Sequence, residues 1–254
     1  MPFRKIQSEK LSQAIVTQIE ALILRGVLSP GDRLPSERDL SEQMGVSRPS
    51  LREALGMLQE DGLLVSRAGA GIFVANVLGS AFSPALTRLM SSHEDAVFDV
   101  IAFRKDMEGL AAERAARFGS DADLEVINAA FTKMAQARDK RPSAEEAQLD
   151  AQFHMAIVEA SHNVMLLHMM RSMYQMLQDG VFYNRQVMFR HRTSRDKLLD
   201  QHRTINDALQ SRQPEAAKVA LHGHLDFVAA ALRDQMKANR DEAFAKLKVK
   251  QGKP

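Results

Sequence analysis

The chain contains no cysteine, so no disulfide framework holds it together. It also has no uninterrupted apolar run near the length of about eighteen residues that a membrane span requires, which excludes a transmembrane protein. Its first residues, Met1-Pro2-Phe3-Arg4-Lys5, lead into a polar helical pattern without the apolar centre of a secretory signal, and the expected compartment is the cytoplasm. A large excess of one charge is missing too: the net charge is +2, and residues 1–78 hold nine Lys/Arg against nine Asp/Glu. Bulk charge therefore says nothing about a nucleic-acid partner, and only the local placement of cations can.

What is present is enough for two cores. The 254 residues exceed the usual single-domain size, and 45% hydrophobic with 26% charged residues fits a globular protein. In the first part, Leu11, Ile15, Ile19, Leu22 and Ile23 recur at helical spacing after a candidate cap, Ser8, and Gly26 ends that helix. Turn formers fill 28–35. Ser36 with Asp39 then resembles a capping box that opens a short helix to about Met44. Gly45-Val46 breaks it, Ser47 caps again, and a third helix carries Leu51, Ala54, Leu55 and Leu58 on one face.

Two short helices joined across Gly45 have the spacing of a helix-turn-helix, whose second helix enters the major groove. Ser47, Arg48, Ser50 and Arg52 lie at the head of that helix, opposite the leucine stripe, where base edges and phosphates would be met. The runs 63–67 and 72–74 read as two strands joined by Ala68-Gly69-Ala70-Gly71, a hairpin wing. Gly69 and Gly71 make no dinucleotide motif, since no third glycine and no helix follow.

From Leu34-Pro35-Ser36-Glu37-Arg38-Asp39-Leu40 through Gly45-Val46-Ser47-Arg48-Pro49-Ser50-Leu51-Arg52-Glu53-Ala54-Leu55 to the wing, the chain resembles the reader of the GntR superfamily of bacterial regulators. The resemblance implies DNA contacts at Arg38, Arg48 and Arg52, with Ser47, Ser50, Gly69 and the wing residue Arg67 close to the duplex. Where family members often carry a second arginine in the wing, this chain has Ala68.

Residues 79–95 read as a linker rich in Gly, Ser and Pro around a short apolar segment, 86–90. Beyond it the periodicity predicts helices at about 97–118, 121–138, 144–161, 164–190, 195–210 and 214–238, with no competing strand. The expected organisation is mainly α: a winged helix-turn-helix of three helices and a β-hairpin over 1–78, a linker over 79–95, an all-α bundle over 96–238 and a basic tail over 239–254. Met165, Met169, Met170, Met173 and Met176 read as adaptable core.

Histidines carry the chemical signal of the bundle. Asp150 and His154 are four residues apart on one predicted helix and can converge on one point. His202 and His224 are candidates to complete a metal site, although His162, His168, His191 and His222 could serve as well. A carboxylate with imidazoles suits a divalent transition metal, zinc first. Arg104 and Glu108, one turn apart on the same predicted helix, read by themselves as a plain pair on a solvated face.

Over nearly its full length this part is similar to the sensor domain of the FadR subgroup of the same superfamily. Phe98-Asp99-Val100-Ile101-Ala102-Phe103-Arg104, Asp150-Ala151-Gln152-Phe153-His154, Gln201-His202-Arg203-Thr204-Ile205 and Leu221-His222-Gly223-His224-Leu225 carry the likeness. It implies metal ligands at Asp150, His154, His202 and His224, an effector carboxylate at Arg104, and a homodimer on an inverted-repeat operator. The likeness to regulators of pyruvate, lactate and glycolate use implies a small hydroxy- or keto-acid. The expected function is a transcription regulator, most simply a repressor, and not an enzyme. Two rivals are a metal-dependent hydrolase, for which no evident general base is placed, and a structural-metal dimer that binds DNA without an effector.

Overall fold

The core of the first unit is set by one face of its first helix. In the computed structural model, which describes residues 9–76, 82–91, 93–137, 143–178 and 192–250, helix α1 (Glu9–Leu24) buries Ser12, Ile15, Val16, Ile19 and Ile23. Positions 12, 16, 19 and 23 recur at three- and four-residue steps with Ile15 beside them on the same face, and they leave Leu11 on the rim, 44% exposed. The buried stripe thus takes Ser12 where Leu11 was expected, gains Val16, and leaves Leu22 half-buried. The candidate cap Ser8 lies outside the described residues.

Helix α2 (Glu37–Met44) starts where Ser36 accepts the Asp39 N–H at 3.2 Å and donates its hydroxyl to the Asp39 carboxylate at 2.7 Å. It ends because Gly45 turns left-handed at φ 65°, a conformation that glycine adopts without a Cβ penalty. Helix α3 (Arg48–Glu60) buries Leu51, Ala54, Leu55 and Leu58 together with the α1 face, each leucine worth about 1.5–3 kcal/mol when fully buried. Strands β1 (Leu64–Arg67) and β2 (Gly71–Val74) pair antiparallel, Leu64 opposite Val74 and Arg67 opposite Gly71. A feature the turn-rich composition hid is that the chain at 31–34 lines the other edge of β2, with Leu34 N–H bonded to Ile72 O and Val74 N–H to Asp32 O, both at 2.9 Å.

The second unit, Ser80–Pro254, is all helical among its described residues. Helix α4 (Pro84–Ser91) falls inside the segment expected to be a linker and leans on α5 (Glu94–Phe118). Then come α6 (Asp121–Ala137), α7 (Ser143–Ala160), α8 (Val164–Gln178), α9 (Arg192–Gln210) and α10 (Pro214–Lys250). The part of the predicted 164–190 helix beyond 178 lies outside the described residues. Helix α10 runs on past the expected end at 238, because no glycine or proline interrupts 224–250; the residues assigned to a separate tail continue it.

Helices α5 and α10 are antiparallel and locked in register. Glu113 pairs with Lys218 at 3.2 Å, Lys105 with Asp226 at 2.7 Å, and Arg233 covers the Phe98 ring at 4.6 Å. Between these ties sits Gly109, where an added Cβ would fall 2.1 Å from His222 Nε2. The small residues Ala111, Ala112, Ala115 and Ala116 complete the close approach, around Phe153, Ile157, Leu221 and Leu225. Of the α8 methionines, Met170, Met173 and Met176 are core, whereas Met165 and Met169 face outward, 71% and 41% exposed, because their four-residue spacing puts them on the opposite side of the helix.

The shifted α1 face gives a direct test. Leu58→Ala should lower the stability of the first unit by about 2–5 kcal/mol, while Leu11→Ala should stay within about 0.5 kcal/mol. Hydrogen exchange of the α1–α3 amides in the full chain reads both; equal losses would return Leu11 to the core.

Candidate functional site

Three helices bring four polar residues of the bundle to one buried point. Asp150 and His154 come one turn apart from α7, His202 from α9 and His224 from α10, and one ligand atom from each lies within 4.8 Å of all the others. His202 Nε2 is 3.2 Å from His154 Nε2 and 3.1 Å from Asp150 Oδ1, and His154 Nε2 is 3.8 Å from the same oxygen. Ligand atoms around a tetrahedral cation with bonds of about 2.0–2.1 Å stand about 3.3 Å apart, so the separations suit such an ion. Phe153 presses edge-on against the His154 and His202 rings, its centroid 5.8 and 5.3 Å from theirs.

The donor chemistry agrees with the distances. Burial, followed by the neighbouring His202 and His154, holds the His224 imidazole well below its ordinary pKa, so it is neutral and keeps a free lone pair. Its Nδ1 lies 3.1 Å from Gln201 Oε1; a proton on Nδ1 donated to that oxygen leaves Nε2 as the ligating atom. Of the other histidines considered, His162 is elsewhere, pairing with Asp123 at 2.9 Å, and His222 is packed over Gly109. Among the described residues, the set named from the sequence is the one that converges, and His168 is not part of it. His191 lies outside the described residues.

Arg104 does pair with Glu108, yet not on a solvated face: both are buried, 3% and 1% exposed. The α5 helix turns this i,i+4 pair inward, where Arg104 Nε donates to Glu108 Oε1 at 2.7 Å. Tyr174 of α8 closes the triangle, accepting from Arg104 Nη2 at 2.9 Å and donating to Glu108 Oε1 at 2.8 Å. The second Glu108 oxygen stands 2.7 Å from His154 Nδ1, a close contact that does not complete a hydrogen bond. Burial alone would raise the Glu108 pKa, but Arg104 and then His154 outweigh it and bring it down to about 2. Burial likewise works against the Arg104 charge, and Glu108 and Tyr174 more than offset it, so the guanidinium stays protonated. The stabilisation from Glu108 is complete above the ordinary carboxylate value and is lost as pH falls from about 4.5 toward 2. Tyr174 gave no signal in the sequence, being one tyrosine in a methionine-rich helix.

In the first unit the residues expected to meet DNA gather on α2, the head of α3 and the wing. Ser47 and Ser50 bond to each other at 2.9 Å while Ser47 caps α3, so their hydroxyls are already committed to the turn. Arg48 is exposed with no carboxylate in ion-pair range among the described residues. Arg38 lies 3.6 Å from Glu42, and Arg52 reaches across to Glu37 at 2.6 Å. Arg67 lies over the Phe73 ring at 4.4 Å, and Gly69 at the wing tip has φ 68°. Arg33, missed in the sequence, packs its guanidinium over Gly71, whose φ of 108° and missing Cβ make room for it.

Comparison with known proteins adds an independent finding. Residues 11–74 match the family model of bacterial regulatory proteins, gntR family, and residues 99–227 match the FCD domain. A protein named as an L-lactate dehydrogenase operon regulatory protein in Escherichia coli strain K12 is 34% identical over 233 residues, 88% of this chain and 87% of its own. The Glc operon transcriptional activator of the same strain is 34% identical over 234 residues, 91% of this chain and 92% of its own. The HTH-type transcriptional regulator LutR of Bacillus subtilis is 30% identical over 219 residues, 86% of this chain and 99% of its own. Among solved structures, Streptococcus agalactiae GntR superposes with a TM-score of 0.50 at 22% identity, covering 87% of this chain and 98% of that one, a likeness of fold.

Two measurements check the buried centre. Glu108→Ala strands the Arg104 charge and should cost about 3–5 kcal/mol in urea unfolding, against less than about 1 kcal/mol for Lys105→Ala at the more exposed Asp226 pair. His154→Ala and His224→Ala should each lose most of the divalent metal that elemental analysis finds in the purified protein, while His168→Ala keeps it. Equal metal content in all three variants would remove the ligand assignment.

Proposed function

The chain belongs to the gntR family of bacterial regulatory proteins with an FCD domain, and from that premise we propose that it is a homodimeric repressor whose operator affinity is set by a small organic acid bound beside a divalent metal. That it is a DNA-binding transcription regulator rather than an enzyme follows from the family and its relatives, which sets the hydrolase reading aside. The observation that carries the rest is the burial of three imidazoles, with that of His224 held neutral, and a carboxylate at one point beside a guanidinium.

Asp150, His154, His202 and His224 would hold the ion, zinc being the best match to three imidazoles and one carboxylate. When bound, such a cation supplies positive charge and Lewis acidity to an anionic ligand. Arg104 is the second cationic group of the site and the field of Asp150 reaches it. Nε and one Nη2 hydrogen are taken by Glu108 and Tyr174, which leaves donors of the fork for a carboxylate. A hydroxy- or keto-monocarboxylate such as lactate, glycolate or pyruvate offers a carboxylate to one cation and a neighbouring oxygen to the other. The names of two relatives, which refer to the L-lactate dehydrogenase operon and the Glc operon, support that class.

On the DNA side, Arg38, Ser47, Arg48, Ser50 and Arg52 form the face that meets an inverted repeat, with Arg67 and Gly69 in the wing. Backbone phosphates position such a face and base edges give it sequence preference. Acid and operator binding are linked reciprocally, and couplings of this kind amount to about 1–3 kcal/mol, or about 5–150-fold in affinity.

Lactate, glycolate or pyruvate should therefore raise the melting temperature of the metal-loaded protein and shift its affinity for an operator duplex selected from a random pool. Arg104→Lys keeps a charge against Glu108 but loses the fork; it should retain metal and DNA binding while losing most of the shift. If none of the three acids changes melting temperature or affinity, the metal only holds the helices together, and the sensor reading falls.

A further inference from the structure

The three arginines of the helix-turn-helix differ in what surrounds them. Arg48 is exposed and has no ionic partner among the described residues. Arg38 has only loose contacts on its own helix, 3.6 Å to Glu42 and 3.9 Å to Asp39, with all three side chains more than half exposed. Arg52 is held across the motif: from α3 its Nε donates to Glu37 Oε2 on α2 at 2.6 Å. Glu37 is the first residue of α2, directly after its cap, and its side chain is 38% exposed, so it is the better fixed of the two partners.

This bond has two physical consequences. The first is orientation. A carboxylate oxygen on Nε fixes the guanidinium plane and leaves the terminal Nη1 and Nη2 edge without a partner among the described residues. That edge is a pair of parallel donors, the pattern that matches the O6 and N7 acceptors of guanine in the major groove. The second is charge. Beside Glu37 the Arg52 pair is close to neutral, so a phosphate contact there would release few counterions, whereas a base edge needs donors rather than net charge.

We propose that Glu37 is a specificity-determining positioning residue: it holds Arg52 for a guanine edge and withholds it from phosphates. The inference rests on α3 being the recognition helix of the proposed operator complex. It assigns unlike work to neighbouring arginines, Arg48 bringing its full charge to the duplex and Arg52 bringing geometry.

The test uses the full-length protein, a duplex that it selects from a random pool, and a scrambled duplex of the same composition, followed by fluorescence anisotropy over a series of salt concentrations. Wild type should separate the two duplexes; if it does not, the DNA-reading assignment of α3 fails, and Glu37 with it. Glu37→Gln should tighten binding to the scrambled duplex and steepen its log–log salt slope by about 1 per reader engaged. It should also narrow the discrimination between duplexes by about 5-fold or more. In an Arg52→Ala background the same substitution should leave discrimination unchanged, because its effect passes through Arg52. Three results would overturn the proposal: discrimination retained in Glu37→Gln, effects of the two substitutions that simply add, or a parallel weakening on both duplexes with a lower melting temperature, which marks a structural tie only.

Discussion

The arrangement of the second unit depends on a buried ion pair, Arg104 with Glu108, that cannot be left half-made. Two charges removed from water are tolerated only when their remaining hydrogen-bonding capacity is met, and here Tyr174 helps to meet it, bonding to both partners. Glu108 consequently faces two ways, one oxygen toward the guanidinium and the phenol, the other toward an imidazole of the candidate metal centre. The residue that completes a buried charge pair on α5 thus also stands against an imidazole on α7, and α8 is drawn in through a single hydroxyl. Stability and chemistry share these atoms, so the centre cannot be altered at one residue without consequences for the packing of three helices.

The first unit solves a different problem by local means. Its helices are short, and their ends are fixed by side-chain caps at Ser36 and Ser47 and by the left-handed Gly45 rather than by burial alone. With the turn closed by Ser47 and Ser50, the outward cations project from a frame whose apolar side is buried with α1, Leu34 and the wing residues Leu64 and Val74. Arg33 and Arg67 extend that economy to the wing, one filling the space left by Gly71 and the other covering Phe73.

Much of this was legible in the sequence because local rules dominated. The caps, the glycine break and the leucine stripe of α3 obey short-range chemistry, and Asp150 and His154 at four-residue spacing announced half of the centre. What could not be read from spacing depended on contacts between distant positions. Whether Arg104 and Glu108 face water or the core is decided by α8 and α7, some seventy and fifty residues away, with α5 itself silent on the matter. The α1 face was misjudged by one position because a serine, Ser12, sits in the buried stripe while a leucine sits on its edge. The backbone bonds of 31–34 along the free edge of β2 escaped notice because turn composition does not reveal pairing with a strand forty residues on. The length of α10 was underestimated because charge suggested fraying where the absence of Gly and Pro allowed a helix.

The notch at Gly109 has a mechanical corollary. An imidazole seated in the surface of another helix, flanked one turn away on each side by Lys105–Asp226 and Glu113–Lys218, works as a pawl in a toothed rack. Small sliding in either direction would drive the His222 ring against a side chain on α5, because the positions one turn from Gly109 are not glycine, so the notch resists travel of α10 along its neighbour. His224, two residues beyond the pawl, inherits that restraint: its place relative to the polar residues of α7 and α9 is held by a tooth as well as by the core around it.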